Sequence, residues 1–121
     1  MKKIVLIEDS KVLGTALVGA LKVAGIEAHW ADNGAAGVSL AKQQKPDLIL
    51  LDLMLPKLSG FDVCKLLKTD NATWRIPIVI MSTLTDSESR ERATAAGADY
   101  FIPKPYDLPS TLAEIKKILK I

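Results

Sequence analysis

The sequence predicts an α/β domain built on a parallel sheet, and three observations lead there. Five short apolar runs alternate with five longer stretches of helical period, the rhythm of strand–helix–strand units. Three of the runs are almost unbroken in aliphatic residues, as in Leu48-Ile49-Leu50-Leu51, which suits strands covered on both faces. The chain has 121 residues, one domain's worth. At that length roughly two-thirds of the unfolded surface can be buried in a single core.

Each element has its own signal. Lys3 to Ile7 is the first strand. Ser10 caps a helix to about Ala24, with Val12, Leu13, Ala16, Leu17, Ala20 and Leu21 as its apolar face and Gly25 as its terminator. Ile26 to Ala31 alternates and carries Glu27 and His29, so this strand belongs at an edge. Asp32-Asn33-Gly34 opens a helix that runs to about Gln44 and stops before Pro46. Leu48 to Leu51 is the third strand. Leu55 to Gly60 is a loop, and Phe61 to Lys68 a short helix. Pro77 precedes a fourth strand, Ile78 to Met81. Asp86 or Ser87 caps a helix through Ala96, closed by Gly97. Tyr100 to Ile102 is the fifth strand. The last helix starts near Leu108 or Pro109, where proline is tolerated, and buries Leu112, Ile115 and Leu119. The helix after Asp86 is the weak one: its apolar face is mainly Ala93 and Ala96, so it and the Thr83 to Asp86 loop are expected to be the mobile part.

Composition narrows the function. A formal net charge of +2 gives no reason to expect direct contact with nucleic acid or a membrane. Lys116, Lys117 and Lys120 form a solvated helix face. The single cysteine, Cys64, excludes an internal disulfide and fits a reducing cytosol. His29 is an ordinary surface residue, and no cysteine–histidine set spells a zinc site. The apolar stretch after Lys2 and Lys3 stops at Glu8, too short for a signal peptide or a span. A cytoplasmic protein is expected.

The strand ends carry the chemistry. The first strand runs into Glu8 and Asp9, the third into Asp52, the fourth into Ser82 and Thr83, and the fifth, across Pro103, into Lys104. Right-handed crossovers bring the carboxyl ends of parallel strands to one edge, where open sheets bind ligands. Singly, each residue has a plain reading. Glu8 and Asp9 suit a helix N-terminus, Ser82 and Asp52 suit turns, and Lys104 suits a structural pair with Asp52. Together they make a site. Two carboxylates about 4 Å apart repel by roughly 4 kcal/mol at an effective dielectric of 20, so the cluster calls for a cation. All-oxygen ligands favour Mg²⁺. A carboxylate can then be the nucleophile that accepts a phosphoryl group, with Lys104 and Ser82 stabilising its oxygens.

With those residues in view, the chain resembles the receiver domain of two-component response regulators over essentially its whole length. The matching stretches are Val5-Leu6-Ile7-Glu8-Asp9, Asp32-Asn33-Gly34, Pro46 through Pro56 with Ser59-Gly60, Pro77 through Ser82, Ala96 through Tyr100, and Lys104-Pro105. The resemblance implies a flavodoxin-like three-layer sandwich with strand order 2-1-3-4-5, as one receiver domain over residues 1–121. It implies Asp52 as phosphoacceptor, with Glu8, Asp9, Asp52 and the Met54 carbonyl holding Mg²⁺. By the same resemblance Ser82 is the switch hydroxyl, Lys104 contacts the phosphoryl group, Phe101 is the switch aromatic, and the Lys104–Pro105 bond is cis. The implied partners are a histidine kinase or histidine phosphotransfer protein upstream and an effector domain or protein downstream. The implied activity is a switch that catalyses its own phosphorylation and dephosphorylation, not a turnover enzyme.

Departures from the pattern matter too. Glu8-Asp9 stands where Asp-Asp is commoner, and Phe101 where tyrosine is frequent. Thr83 replaces a smaller residue and should crowd access to Asp52. Glu114 and Lys116 replace the arginines of the winged-helix branch's dimer face, which weighs against that dimer. A haloacid-dehalogenase-type phosphatase needs a carboxylate where Met54 stands. A flavodoxin needs a phosphate loop where Glu8-Asp9-Ser10 would repel one. The remaining alternative is a degenerate receiver acting as a phosphorylation-independent interaction module.

Overall fold

The computed structural model describes residues 1–104 and 107–121, so the expected cis Lys104–Pro105 bond lies outside the described residues. Ten elements alternate: β1 (Lys3–Ile7), α1 (Lys11–Val23), β2 (Glu27–Ala31), α2 (Gly34–Gln44), β3 (Leu48–Asp52), α3 (Gly60–Thr69), β4 (Ile78–Ser82), α4 (Ser87–Ala95), β5 (Tyr100–Pro103) and α5 (Leu108–Leu119). All strand pairs are parallel, in the order β2-β1-β3-β4-β5. This is the flavodoxin-like arrangement that the resemblance implied, with β2 at an edge.

Side chains alternate across the sheet, and each face meets its own helices. Val5, Ile7, Ile49, Leu51, Ile78 and Ile80 pack with Val63, Cys64 and Leu67 of α3, Ala41 of α2 and Ala93 of α4. Ile4, Leu6, Leu48, Leu50, Val79 and Met81 pack with Leu17 and Leu21 of α1 and with Ile115 and Leu119 of α5. Both faces of β1, β3 and β4 are therefore dry, which is why these three strands read as unbroken apolar runs. Burial pushes the Cys64 thiol up to about 11, so it stays protonated at neutral pH.

Side-chain caps start every helix. Ser10, Asn33, Ser59, Asp86 and Asp107 each accept a hydrogen bond from a backbone N–H three residues on. Gly25 and Gly97 follow α1 and α4 with positive φ, as expected of terminators. Lys45, left-handed at φ 48, ends α2 just before Pro46.

Two buried stripes differ from expectation. On α1, Val12 is 80% exposed and Ala16 is also exposed, while Gly14 is buried with Leu17 and Leu21. The helix is rotated because the Trp30 ring lies against Gly14; a methyl group there would overlap the indole. On α5, Leu112 is only half-buried, and Thr111 takes the inner position beside Ile115 and Leu119. Among the described residues no helix is long and apolar enough to cross a membrane.

Candidate functional site

Parallel pairing sets the site. β3 ends on Asp52, whose ladder partner is Met81 of β4, and Ser82 is one step further on. Ser82 in turn pairs with Pro103, which puts Lys104 just past the same edge. Lys104 N–H donates to the Ser82 carbonyl at 2.7 Å, continuing the ladder by one residue. From β1, Glu8 N–H donates to the Ala31 carbonyl at 3.0 Å, so Glu8 also sits at this edge. The expected side chains meet here: carboxylate oxygens of Glu8, Asp9 and Asp52 lie within 4.8 Å of one another.

Burial makes the charges matter. Glu8 is 1% and Asp52 5% exposed, whereas Asp9 faces solvent. Buried carboxylates need partners. Lys104 Nζ lies 2.8 Å from Glu8 Oε1 and 3.4 Å from Asp52 Oδ2. Its tighter partner is therefore Glu8, where the sequence pointed to Asp52. Glu8 Oε2 accepts from Ser10 N–H at 3.2 Å, and Asp52 Oδ1 from Met54 N–H at 3.1 Å. One ammonium among three carboxylates leaves the cluster negative. A pair at 4.8 Å repels by about 3.5 kcal/mol at an effective dielectric of 20. The donor set is all oxygen, and the Met54 carbonyl follows Asp52 by two residues. That chemistry fits a hard divalent cation such as Mg²⁺.

The surrounding loops are built closely against Asp52. Gly60, first residue of α3, donates its N–H to the Leu53 carbonyl at 2.9 Å. No Cβ would fit there, because it would run into the Asp52 carbonyl and the Leu53 backbone. Ser82 is fully buried, and its Oγ accepts from Leu84 N–H at 2.9 Å, tying the hydroxyl to the β4–α4 loop. Thr83 is exposed, and its hydroxyl donates to Met54 Sδ at 3.8 Å, bridging the loops after β3 and β4. Phe101 is half-buried against the α3–α4 side of the core, with the Arg90 guanidinium 4.7 Å from its ring centre. The structure thus gathers Glu8, Asp9, Asp52, Met54, Ser82, Thr83 and Lys104 at one edge and sets Phe101 on the flank of β5. Sequence reasoning missed Trp30, whose indole N–H donates to the Glu8 carbonyl at 2.8 Å. An aromatic residue on an edge strand carries no signal for such a bond.

This edge can be compared with known proteins. Residues 4–116 match the family described as the response regulator receiver domain. The chain belongs to that family. It is 33% identical to the protein PilH of Pseudomonas aeruginosa, with 98% of each chain covered. It is 36% identical over 120 residues to the DNA-binding dual master transcriptional regulator RpaA of Synechocystis, covering 99% of this chain and 50% of RpaA. Against such transcriptional regulators the chain spans about half their length. Among solved structures, a two-component response regulator from Clostridium difficile superposes with a TM-score of 0.92 at 31% identity, covering 99% of this chain and 97% of that one. Receiver domains are signalling switches rather than conventional enzymes, and their partners are histidine kinases and downstream effectors.

Proposed function

We propose that this receiver takes a phosphoryl group from a phosphohistidine of a histidine kinase or phosphotransfer protein onto Asp52. An Asp52 oxygen attacks phosphorus, the P–N bond breaks, and imidazole leaves with the electron pair. The product is an aspartyl phosphate. Mg²⁺, held by Glu8, Asp9, Asp52 and the Met54 carbonyl, would neutralise charge on the phosphoryl oxygens.

The chain's own residues do the rest. Lys104, held near both Glu8 and Asp52, offers an ammonium to the phosphoryl oxygen facing β5. Met54 N–H already holds one Asp52 oxygen, fixing the direction of attack. The group adds up to two negative charges and three acceptor oxygens. Ser82 exchanges the Leu84 N–H for a phosphoryl oxygen, which releases the β4–α4 loop. Phe101 moves with it, and the face around β5 and the neighbouring helices changes for a downstream effector domain or protein. Thr83, bonded to Met54 across the entrance, slows water. A cytoplasmic location belongs to the same reading.

One observation carries the proposal: a carboxylate buried to 5% exposure shares a strand end with an ammonium 3.4 Å away and two further carboxylates. The test is phosphotransfer from a panel of histidine kinases with Mg²⁺. Label is expected on the wild-type chain and absent from Asp52→Asn. Label that survives this substitution, or no transfer from any kinase, overturns it; the second result leaves a phosphorylation-independent interaction module.

A further inference from the structure

Beyond these roles, we propose that Trp30 is a positioning residue of the acidic site, a reading that rests on the proposed Mg²⁺ site. β1 and β2 pair in register from Lys3↔Glu27 to Ile7↔Ala31, and Glu8 N–H still finds the Ala31 carbonyl at 3.0 Å. A continued parallel ladder would bring Asn33 N–H to the Glu8 carbonyl. The strand stops at Ala31, however, because Asn33 turns out to cap α2. The Trp30 indole N–H takes that place at 2.8 Å. A side chain on the edge strand thus supplies the last rung.

The rung matters because of which carbonyl it holds. The Glu8 carbonyl belongs to the peptide that leads into Asp9. Glu8 is fixed at its N–H by Ala31, at its carboxylate by Lys104 and Ser10 N–H, and at its carbonyl by Trp30. Asp9 is exposed, so its carboxylate is aimed by the backbone it hangs from. The indole is itself seated: its ring fills the notch at Gly14, the one inward position of α1 without a side chain. The same contact explains Gly14, a residue type that otherwise weakens a helix interior. Partners that orient a metal's ligands without touching the metal commonly alter affinity by roughly tenfold or more.

The test uses the chain as it is, with Mg²⁺ alone as probe and calorimetry as readout. Trp30→Phe keeps an aromatic ring beside α1 and removes the N–H together with the outer indole atoms that rest on Gly14. Its Mg²⁺ dissociation constant is expected to rise by about tenfold. With Asp9→Asn as background, Trp30→Phe is expected to change the constant by less than about twofold, because the residue acts through Asp9. Equal constants for wild type and Trp30→Phe overturn the inference. So does the same tenfold loss in the Asp9→Asn background. A second measurement needs no folded variant: the Trp30 indole ¹⁵N–¹H resonance of the wild type should shift along the Mg²⁺ saturation curve while that of Trp74 stays. A Trp30 signal unmoved at saturating Mg²⁺ overturns the inference with the Mg²⁺ site intact. A wild-type chain that binds no Mg²⁺ overturns the parent reading and this one together.

Discussion

The middle of the sheet and its β5 flank are held by different means. In β1, β3 and β4 the apolar side chains from Ile4 to Ile7, Leu48 to Leu51 and Ile78 to Met81 are fully buried. On the flank, Tyr100 is 47% exposed, and α4 buries Ala93 alone. Two of its arginines also lie over rings: Arg90 on Phe101 at 4.7 Å and Arg92 on Phe61 at 4.0 Å. An exposed cation–π contact contributes about 0.5–1 kcal/mol, against about 1.5–3 for a fully buried aliphatic side chain. Asp52 thus stands on the rigid part, and α4 hangs from the loose part. A switch gains from that split, since a stiff acceptor keeps its geometry while a weakly held element changes place at low cost.

That contrast can be broken at four points. Leu50→Ala, in the centre of β3, should lower unfolding free energy by about 2–5 kcal/mol in urea denaturation. A loss below about 1 kcal/mol would mean the middle is no stiffer than the flank. Amide exchange should report opening free energies in α4 at least about 3 kcal/mol below those of β3; equal values would remove the contrast altogether. The α4 cap sharpens it further. Asp86 is held below the usual carboxylate range, first by the Ser89 N–H and then by the Ser89 hydroxyl. Its contribution is therefore full above the ordinary carboxylate pKa and is lost as pH falls through the lowered one. Asp86→Ala should raise α4 exchange about fivefold at neutral pH, and the difference from wild type should vanish in acid. Finally, Thr83→Ala should speed decay of the aspartyl phosphate by about threefold, roughly 0.7 kcal/mol of barrier. Slower or unchanged decay would acquit Thr83 of guarding the entrance.

Much of this was legible in the sequence because the three central strands are dry on both faces. Runs such as Leu48 to Leu51 need no alternation to be read, and reactive side chains at their ends stand out. The caps at Ser10 and Asp86 were equally plain, since short polar side chains before helical periods have one main use. What stayed hidden was pairwise packing. Counting apolar residues on α1 favoured Val12 and Ala16, yet the inward point is Gly14, which adds nothing to such a count. The same blindness conceals the Trp30 bond to Glu8. That Lys104 leans to Glu8 at 2.8 Å rather than to Asp52 at 3.4 Å depends on sub-ångström placement, which residue order does not encode.

The Lys104–Glu8 pair joins residues 96 apart in the chain. A fragment that ends before Lys104 keeps all three acids and lacks the ammonium that tempers them. In an extended chain Asp52 lies far from Glu8 and Asp9, so their repulsion arises only as the sheet closes. Closing the sheet of such a fragment should therefore be disfavoured at this one edge.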